Sequence, residues 1–286
     1  MTTSYRPRRS ALYLPASNAR AIEKARTLDA DVVILDLEDS VAPEMKAEAR
    51  AQAVAAAKAG GFGDRELVIR INALDTHWGK EDLAAVAGIA PDAVLVPKVS
   101  APGDTAAPAA QLGTTPIWAM IETCAALFRL EAIAGSGVQC LVMGVNDLAK
   151  EMRATLTPDR TPFLPALAMT VAAARGVGIA VLDGVSNEIE NADALRFSCE
   201  QGSIFGFDGK TLIHPSQIDV CNTAFSPAPG AIVSAREIIA AFADPANAGK
   251  GAIRVDGRMV ERLHLEEAER LVAIDAAIRA RGAGTS

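Results

Sequence analysis

Eight short runs of consecutive apolar residues, each four or five long, constrain the fold of this chain more than any other feature. They are Ala11–Leu14, Val32–Leu35, Leu67–Ile71 (interrupted by Arg70), Ala93–Val96, Ile117–Ile121, Cys140–Met143, Gly178–Leu182 and Ser203–Phe207. Each is too short for a helix, and apolar residues at successive positions suit strands buried on both faces of a parallel sheet. Between them lie stretches rich in Ala, Leu, Glu, Lys and Arg: 18–28, 43–59, 80–88, 123–134, 163–175 and 187–201. That composition favours helices. Strand and helix alternating eight times predicts a closed α/β (β/α)₈ TIM barrel. An open doubly wound sheet is the alternative.

The chain continues past the eighth unit. Pro227-Ala-Pro-Gly interrupts it, 231–243 reads as a helix, 252–260 carries a hairpin-like Asp256-Gly257 turn, and 261–281 reads as a long helix. The expected division is a barrel over 1–226 and a C-terminal helical extension or lid over 227–286, folded over the mouth or reaching a neighbouring subunit.

With 28 Lys+Arg against 35 Asp+Glu among 286 residues, the net charge of −7 argues against a nucleic-acid or anionic-membrane partner. No window reaches the roughly 18 apolar residues of a membrane span, and the N-terminus lacks a signal-peptide apolar core. Cys124, Cys140, Cys199 and Cys221 have no zinc-type spacing. They read as small buried thiols, and the expected location is the cytoplasm.

In a (β/α)₈ barrel the chemistry sits at the C-terminal ends of the strands. There the sequence places Asp36, Glu38 and Asp39 after the second strand, Arg70 and Asn72 at the third, and Lys98 after the fourth. Glu122 follows the fifth, Asn146 and Asp147 the sixth, Asp183 ends the seventh, and Asp208 and Lys210 are expected at the end of the eighth. Glu122 and Asp147 would stand side by side and could hold Mg²⁺, which is satisfied by one or two carboxylates plus water or substrate oxygens. They could equally be ion-paired inside the barrel. Arg70 could fork onto a substrate carboxylate or act as counter-ion to Asp36 or Glu38. Arg6, Arg8, Arg9, Arg20, Lys24 and Arg26 meet only one acid, Glu23, in the first 26 residues. Arg20 and Lys24, four apart on the first helix, could receive a phosphate-bearing ligand or form a solvated face. His214 follows the eighth strand, and no Gly-x-Ser-x-Gly elbow suggests a serine hydrolase.

The segments Arg9-Ser-Ala-Leu-Tyr-Leu-Pro, Asp36-Leu-Glu-Asp-Ser-Val, Arg70-Ile-Asn, Val96-Pro-Lys-Val, Met120-Ile-Glu-Thr, Gly144-Val-Asn-Asp-Leu and Gly206-Phe-Asp-Gly-Lys-Thr-Leu-Ile-His-Pro resemble the citrate lyase β-subunit-like branch of the HpcH/HpaI aldolase family. The resemblance spans about the whole chain, and within that branch the sequence is similar to the (3S)-malyl-CoA thioesterases. It implies a (β/α)₈ barrel, Mg²⁺, an acyl-CoA substrate and assembly into trimers or hexamers. Carried over by position, the metal carboxylates fall on Glu122 and Asp147 and the substrate-carboxylate arginine on Arg70. Glu38 and Asp39 match the acidic cluster that supports the metal waters, and Arg20 and Lys24 the CoA-contacting basic residues.

In lyases of the family an aspartate of a C-terminal Met-Ile-Asp-like motif enters the neighbouring subunit's site. Here the motif reads Met259-Val260-Glu261, a longer side chain that the resemblance associates with hydrolysis. Ala16 stands where relatives often have Gly. The implied reaction is Mg²⁺-dependent hydrolysis of (3S)-malyl-CoA to malate and CoA, with Glu261 as general base. The alternatives are retro-Claisen cleavage, as in malyl-CoA or citramalyl-CoA lyases, and service as a citrate lyase β-like subunit.

Overall fold

The computed structural model describes residues 5–283. Two compact units are formed: Arg8–Phe225, and residues 226–283 together with 5–7.

The first unit alternates β1 (Ser10–Pro15), α1 (Ala19–Ala25), β2 (Val32–Asp36), α2 (Lys46–Ala59), β3 (Glu66–Arg70), α3 (His77–Ala87), β4 (Ala93–Val96) and α4 (Ala106–Leu112). It continues with β5 (Ile117–Ile121), α5 (Cys124–Leu127), α6 (Leu130–Ala134), β6 (Cys140–Met143), α7 (Val145–Met152), α8 (Leu164–Val177), β7 (Ala180–Asp183), α9 (Ala192–Phe205), β8 (Gly209–Leu212) and α10 (Ile218–Ala224). The eight strands pair in parallel, each with the next, and β1 closes on β8. The (β/α)₈ barrel expected from the alternation is therefore formed.

The strand alternation divides the core in two. Ala11, Tyr13, Ile34, Leu95, Trp118, Met120 and Val142 fill the barrel interior, while Leu12, Leu35, Ile69, Val96, Ile121 and Leu141 face outward against the helices. Trp118 is wholly buried, and the Arg8 guanidinium lies 5.1 Å from its ring centre. Burying both faces explains why these strands read as unbroken apolar runs.

β8 departs from expectation. Ser203–Phe205 end α9, and the helix stops at Gly206, whose φ of +93° lies in the left-handed region that glycine adopts without strain. The strand is the polar segment Gly209-Lys-Thr-Leu. Its polar residues tolerate burial because Lys210 Nζ donates to Asp183 Oδ2 at 3.0 Å and to the Gly184 carbonyl, and Thr211 Oγ1 donates to the Asp183 carbonyl at 3.0 Å. Asp208 consequently precedes the strand instead of ending it, and pairs with Arg175 at 2.7 Å.

The second unit contains α11 (Pro229–Ala243), the antiparallel hairpin of β9 (Ala252–Val255) and β10 (Arg258–Glu261), and α12 (Arg262–Ala283). Its core is small: Ile232, Ala235, Ile253, Val260, Ala268 and Ile274 are buried. Among the described residues no helix is long and apolar enough to cross a membrane.

Candidate active site

The C-terminal ends of β2 and β3 build the first half of the site. Register sets Asp36 opposite Arg70, and the guanidinium forks onto that carboxylate, Nε to Oδ1 at 2.6 Å and Nη2 to Oδ2 at 2.7 Å. Asp36 also accepts from the Glu38 and Ser40 amides and from Ser40 Oγ. Burial opposes its ionisation, but Arg70 and these donors hold it below the usual carboxylate range. The same burial opposes the Arg70 charge, and Asp36 more than compensates, so the guanidinium stays protonated. The fork expected to grip a substrate is thus engaged by Asp36. Nη1 remains, 2.9 Å from Glu38 Oε2 and 3.5 Å from Asp39 Oδ2. Beneath, the Tyr13 ring centre lies 4.8 Å from the Arg70 guanidinium.

The second half comes from β4, β5 and β6. Lys98 adopts a left-handed backbone, φ +54°, which costs free energy in a non-glycine residue and is held by its surroundings. Its amide donates to Glu122 Oε1 at 2.7 Å, while its ammonium lies 3.4 Å from Glu38 Oε1 and 3.7 Å from Asp147 Oδ2. Glu122 leaves β5 directly against Gly144, the residue after β6, where an added Cβ would lie 2.5 Å from the Glu122 side chain. Only glycine allows that approach. Asp147 sits in the first turn of α7, which has no side-chain cap.

These groups surround a cavity of about 270 Å³ whose lining includes Asp36, Asp39, Glu122 and Asp147 but only one cation, Arg70. The surplus of negative charge registers in the protons. Burial pushes Glu122 up to about 8, nearby Glu38 and Asp147 adding to it and the Lys98 amide and Arg70 partly offsetting it. Burial likewise pushes Glu38 up to about 7. The buried Glu38 oxygens have only their ion-pair contacts to Arg70 and Lys98, and the buried Tyr13 hydroxyl has no hydrogen-bond partner. Larger hollows exist, about 660 Å³ beside the β9–β10 hairpin and about 650 Å³ between α6 and α8, but neither gathers opposed carboxylates.

Among the described residues no group of three or more His, Cys, Asp and Glu side chains is gathered as a metal cage. Mg²⁺ needs no such cage, because one or two carboxylates can share the ion with waters and substrate. The donor set fits it. Asp39, Glu122 and Asp147 line the cavity together with the Asp36–Arg70 pair, and a divalent cation would favour the ionised forms that burial now disfavours.

The remaining sequence candidates fall elsewhere. Arg20 and Lys24 are exposed on α1, and no ion pair engages them among the described residues. The basic cluster of the first 26 residues is not one patch, because Arg8 pairs with Glu66 at 2.6 Å, Arg9 with Asp31 at 2.9 Å and Arg26 with Glu23 at 3.2 Å. The first four residues lie outside the described residues. Glu261 ends β10 in the second unit, its amide donating to His264 Nδ1 at 3.0 Å. His214 caps the turn after β8 by bonding Ser216. Cys140, Cys199 and Cys221 are buried, whereas Cys124 is only half-buried, a correction to its reading as a core thiol. Sequence reasoning overlooked Tyr13, Ser40 and Gly144. Tyr13 was hidden inside an apolar run, and no spacing rule marks a glycine packed on a carboxylate.

Comparison with known proteins gives a consistent lineage. The family model HpcH/HpaI aldolase/citrate lyase matches residues 9–215. A (3S)-malyl-CoA thioesterase of Cereibacter sphaeroides is 44% identical over 275 residues, 96% of either chain. An L-malyl-CoA/beta-methylmalyl-CoA lyase of the same species is 33% identical over 299 aligned positions, covering 93% of this chain and 94% of the lyase. Among solved structures, the protein CitE from Mycobacterium tuberculosis in complex with magnesium, acetoacetate and coenzyme A superposes with a TM-score of 0.77 at 28% identity, covering 94% of this chain and 98% of that one.

Proposed function

The chain belongs to the HpcH/HpaI aldolase/citrate lyase family, and from that premise we propose that it is a Mg²⁺-dependent thioesterase hydrolysing (3S)-malyl-CoA to malate and CoA. The observation that carries the reading is the near full-length 44% identity to a (3S)-malyl-CoA thioesterase, in a chain whose acidic mouth cavity suits a hydroxy-carboxylate held through a cation.

Glu122 and Asp147 are assigned as the protein ligands of Mg²⁺. When bound, the ion would orient the hydroxyl and carboxylate oxygens of the malyl group and offset their charge. Gly144 fixes the place of Glu122 by direct contact, and the Lys98 amide fixes its Oε1. Glu38 and Asp39 supply acceptors for waters around the site. Arg70 is held by Asp36, so it offers substrate its Nη1 edge, at the expense of Glu38, and not its full fork. Arg20 and Lys24, exposed without ion pairs, are assigned to the CoA phosphates, whose charge they complement.

Glu261 is the general base, and we assign it to the site of a neighbouring subunit in a homotrimer or hexamer, brought there by the C-terminal extension over 227–286. It takes a proton from water as the water oxygen attacks the thioester carbonyl carbon. The C–S bond then breaks, the sulfur leaves with the electron pair, and the thiolate is protonated to free CoA. Four unpaired cysteines suit work in the reducing cytoplasm.

The test is a two-channel assay of the purified protein with (3S)-malyl-CoA and Mg²⁺, following free thiol and glyoxylate separately. Thiol without glyoxylate, abolished by EDTA, is expected. Glyoxylate without thiol would establish the lyase reading instead, which the 33% identical malyl-CoA/β-methylmalyl-CoA lyase favours. No product from free thioesters, with turnover restored by an acyl-carrier partner, would point to a citrate lyase β-like subunit.

A further inference from the structure

We propose that the Tyr13 hydroxyl is a substrate contact, donating a hydrogen bond to an oxygen of the hydroxy-carboxylate head of the acyl group; this deepens the hydrolase reading and rests on it. Tyr13 lies on β1 and lines the mouth cavity while only 8% exposed. Its ring is packed against the Arg70 guanidinium at 4.8 Å, which fixes where the hydroxyl can point. The hydroxyl itself is buried and has no partner. A buried donor without a partner costs free energy, which an acceptor arriving with a ligand would recover.

Each of the other side-chain donors of the lining already has at least one partner. Arg70 is held by Asp36 and Glu38, Ser40 Oγ donates to Asp36 at 2.5 Å, and the Asn146 and Asn187 amides bond each other at 3.2 and 3.0 Å. Among the described side-chain donors lining the cavity, the Tyr13 phenol is thus the one without any partner. Glu122 and Glu38 are close enough to act on it electrostatically, yet neither accepts from it. Those carboxylates face a cation in the proposed function, which leaves the phenol for the anionic ligand. The expected acceptor is a carboxylate or hydroxyl oxygen of a 2-hydroxy acid.

The Tyr13→Phe variant isolates the hydroxyl, because the ring and its contact with Arg70 remain. Binding of (S)-malate would be measured by calorimetry in the presence of Mg²⁺, alongside kcat and KM for (3S)-malyl-CoA and the melting temperature of both proteins. A lost hydrogen bond to a charged oxygen should weaken malate binding and raise KM about 10-fold or more, with kcat within about twofold. Melting should be unchanged or slightly raised. Malate affinity and KM equal to wild type would overturn the contact while leaving the hydrolase reading intact, as would a fall in melting temperature or in kcat with KM unmoved. If wild type hydrolyses nothing but binds malate, and the variant binds it more weakly, the contact stands and the reaction is wrong. A wild type that neither binds malate nor turns over (3S)-malyl-CoA overturns both.

Discussion

The two ends of one barrel handle buried charge in opposite ways. At the floor, where the strands begin, acids and bases are matched: Arg9 forks onto Asp31 with two contacts of 2.9 Å, Arg8 onto Glu66 at 2.6 and 2.8 Å, and Arg175 pairs with Asp208. At the mouth, Arg70 is shared between Asp36, which takes its fork, and Glu38, 2.9 Å from its remaining edge, while Glu38 and Asp147 share the ammonium of Lys98 at 3.4 and 3.7 Å and Glu122 receives only the Lys98 amide. Burial, with neighbouring acids adding to it, pushes Glu122 up to about 8 and Glu38 up to about 7. A matched pair fastens the first turns of the barrel; an unmatched set of carboxylates is an electrostatic demand that only a cation or a ligand meets.

The largest expected effect tests the mouth. Glu122→Gln keeps the shape and removes the charge, and should lower thioesterase turnover about 1000-fold and weaken Mn²⁺ binding, read by electron paramagnetic resonance, without unfolding the protein. The opposite outcome belongs to the floor. Arg9→Met strands the buried Asp31 carboxylate and should cost about 3–5 kcal/mol in chemical denaturation, while turnover per folded molecule stays near wild type. If the floor variant lost turnover at unchanged stability, or the mouth variant lost stability and kept turnover, the contrast between the two ends would collapse.

A third variant separates position from charge. Gly144→Ala leaves every carboxylate in place but puts a methyl 2.5 Å from the Glu122 side chain. Displacing a positioned group by about 1 Å should lower turnover on the order of 100-fold, and Mn²⁺ titration should report a weakened site. Unchanged metal affinity would mean that Glu122 is free to move and that its placement is not what Gly144 protects.

Much of the barrel was legible because its strands obey one rule, burial on both faces, which leaves a run of apolar letters. The rule failed at β8, where Lys210 and Thr211 are buried by virtue of partners on β7 that lie about 30 residues away in sequence. No helix was expected at α4 either, where Pro102 and Gly103 form the turn leading into the helix and Pro108 lies in its first turn, positions at which proline is tolerated. At the site, Glu122, Asp147 and Arg70 could be named from strand ends alone. That Arg70 is occupied by Asp36 could not, because the choice between two nearby acids depends on strand register and side-chain direction. The N-terminal basic cluster misled for the same reason: charge counted along the chain ignores that Arg8 and Arg9 face acids on β3 and before β2.

The smallest expected effect reads the mouth through its protons. In metal-free protein Glu122 and Glu38 hold protons up to about 8 and about 7, burial being the main cause, whereas in the unfolded chain they release them near the ordinary carboxylate value of 4.5. Between those limits the folded state binds more protons than the unfolded one, so stability must fall as pH rises. The contribution is fully present below about 4.5 and is lost as pH passes through about 7 and then about 8. Glu122→Gln cannot ionise, so its melting temperature, measured with EDTA, should gain on wild type by a few degrees between pH 6 and pH 9. Mg²⁺ should act in the same direction on wild type, raising its melting temperature more at pH 9 than at pH 6, because cation and proton compete for one carboxylate. A difference between wild type and variant that stays flat with pH would mean that Glu122 is already ionised in the empty site, and that Lys98 matches the mouth's acids as fully as Arg9 matches Asp31 at the floor.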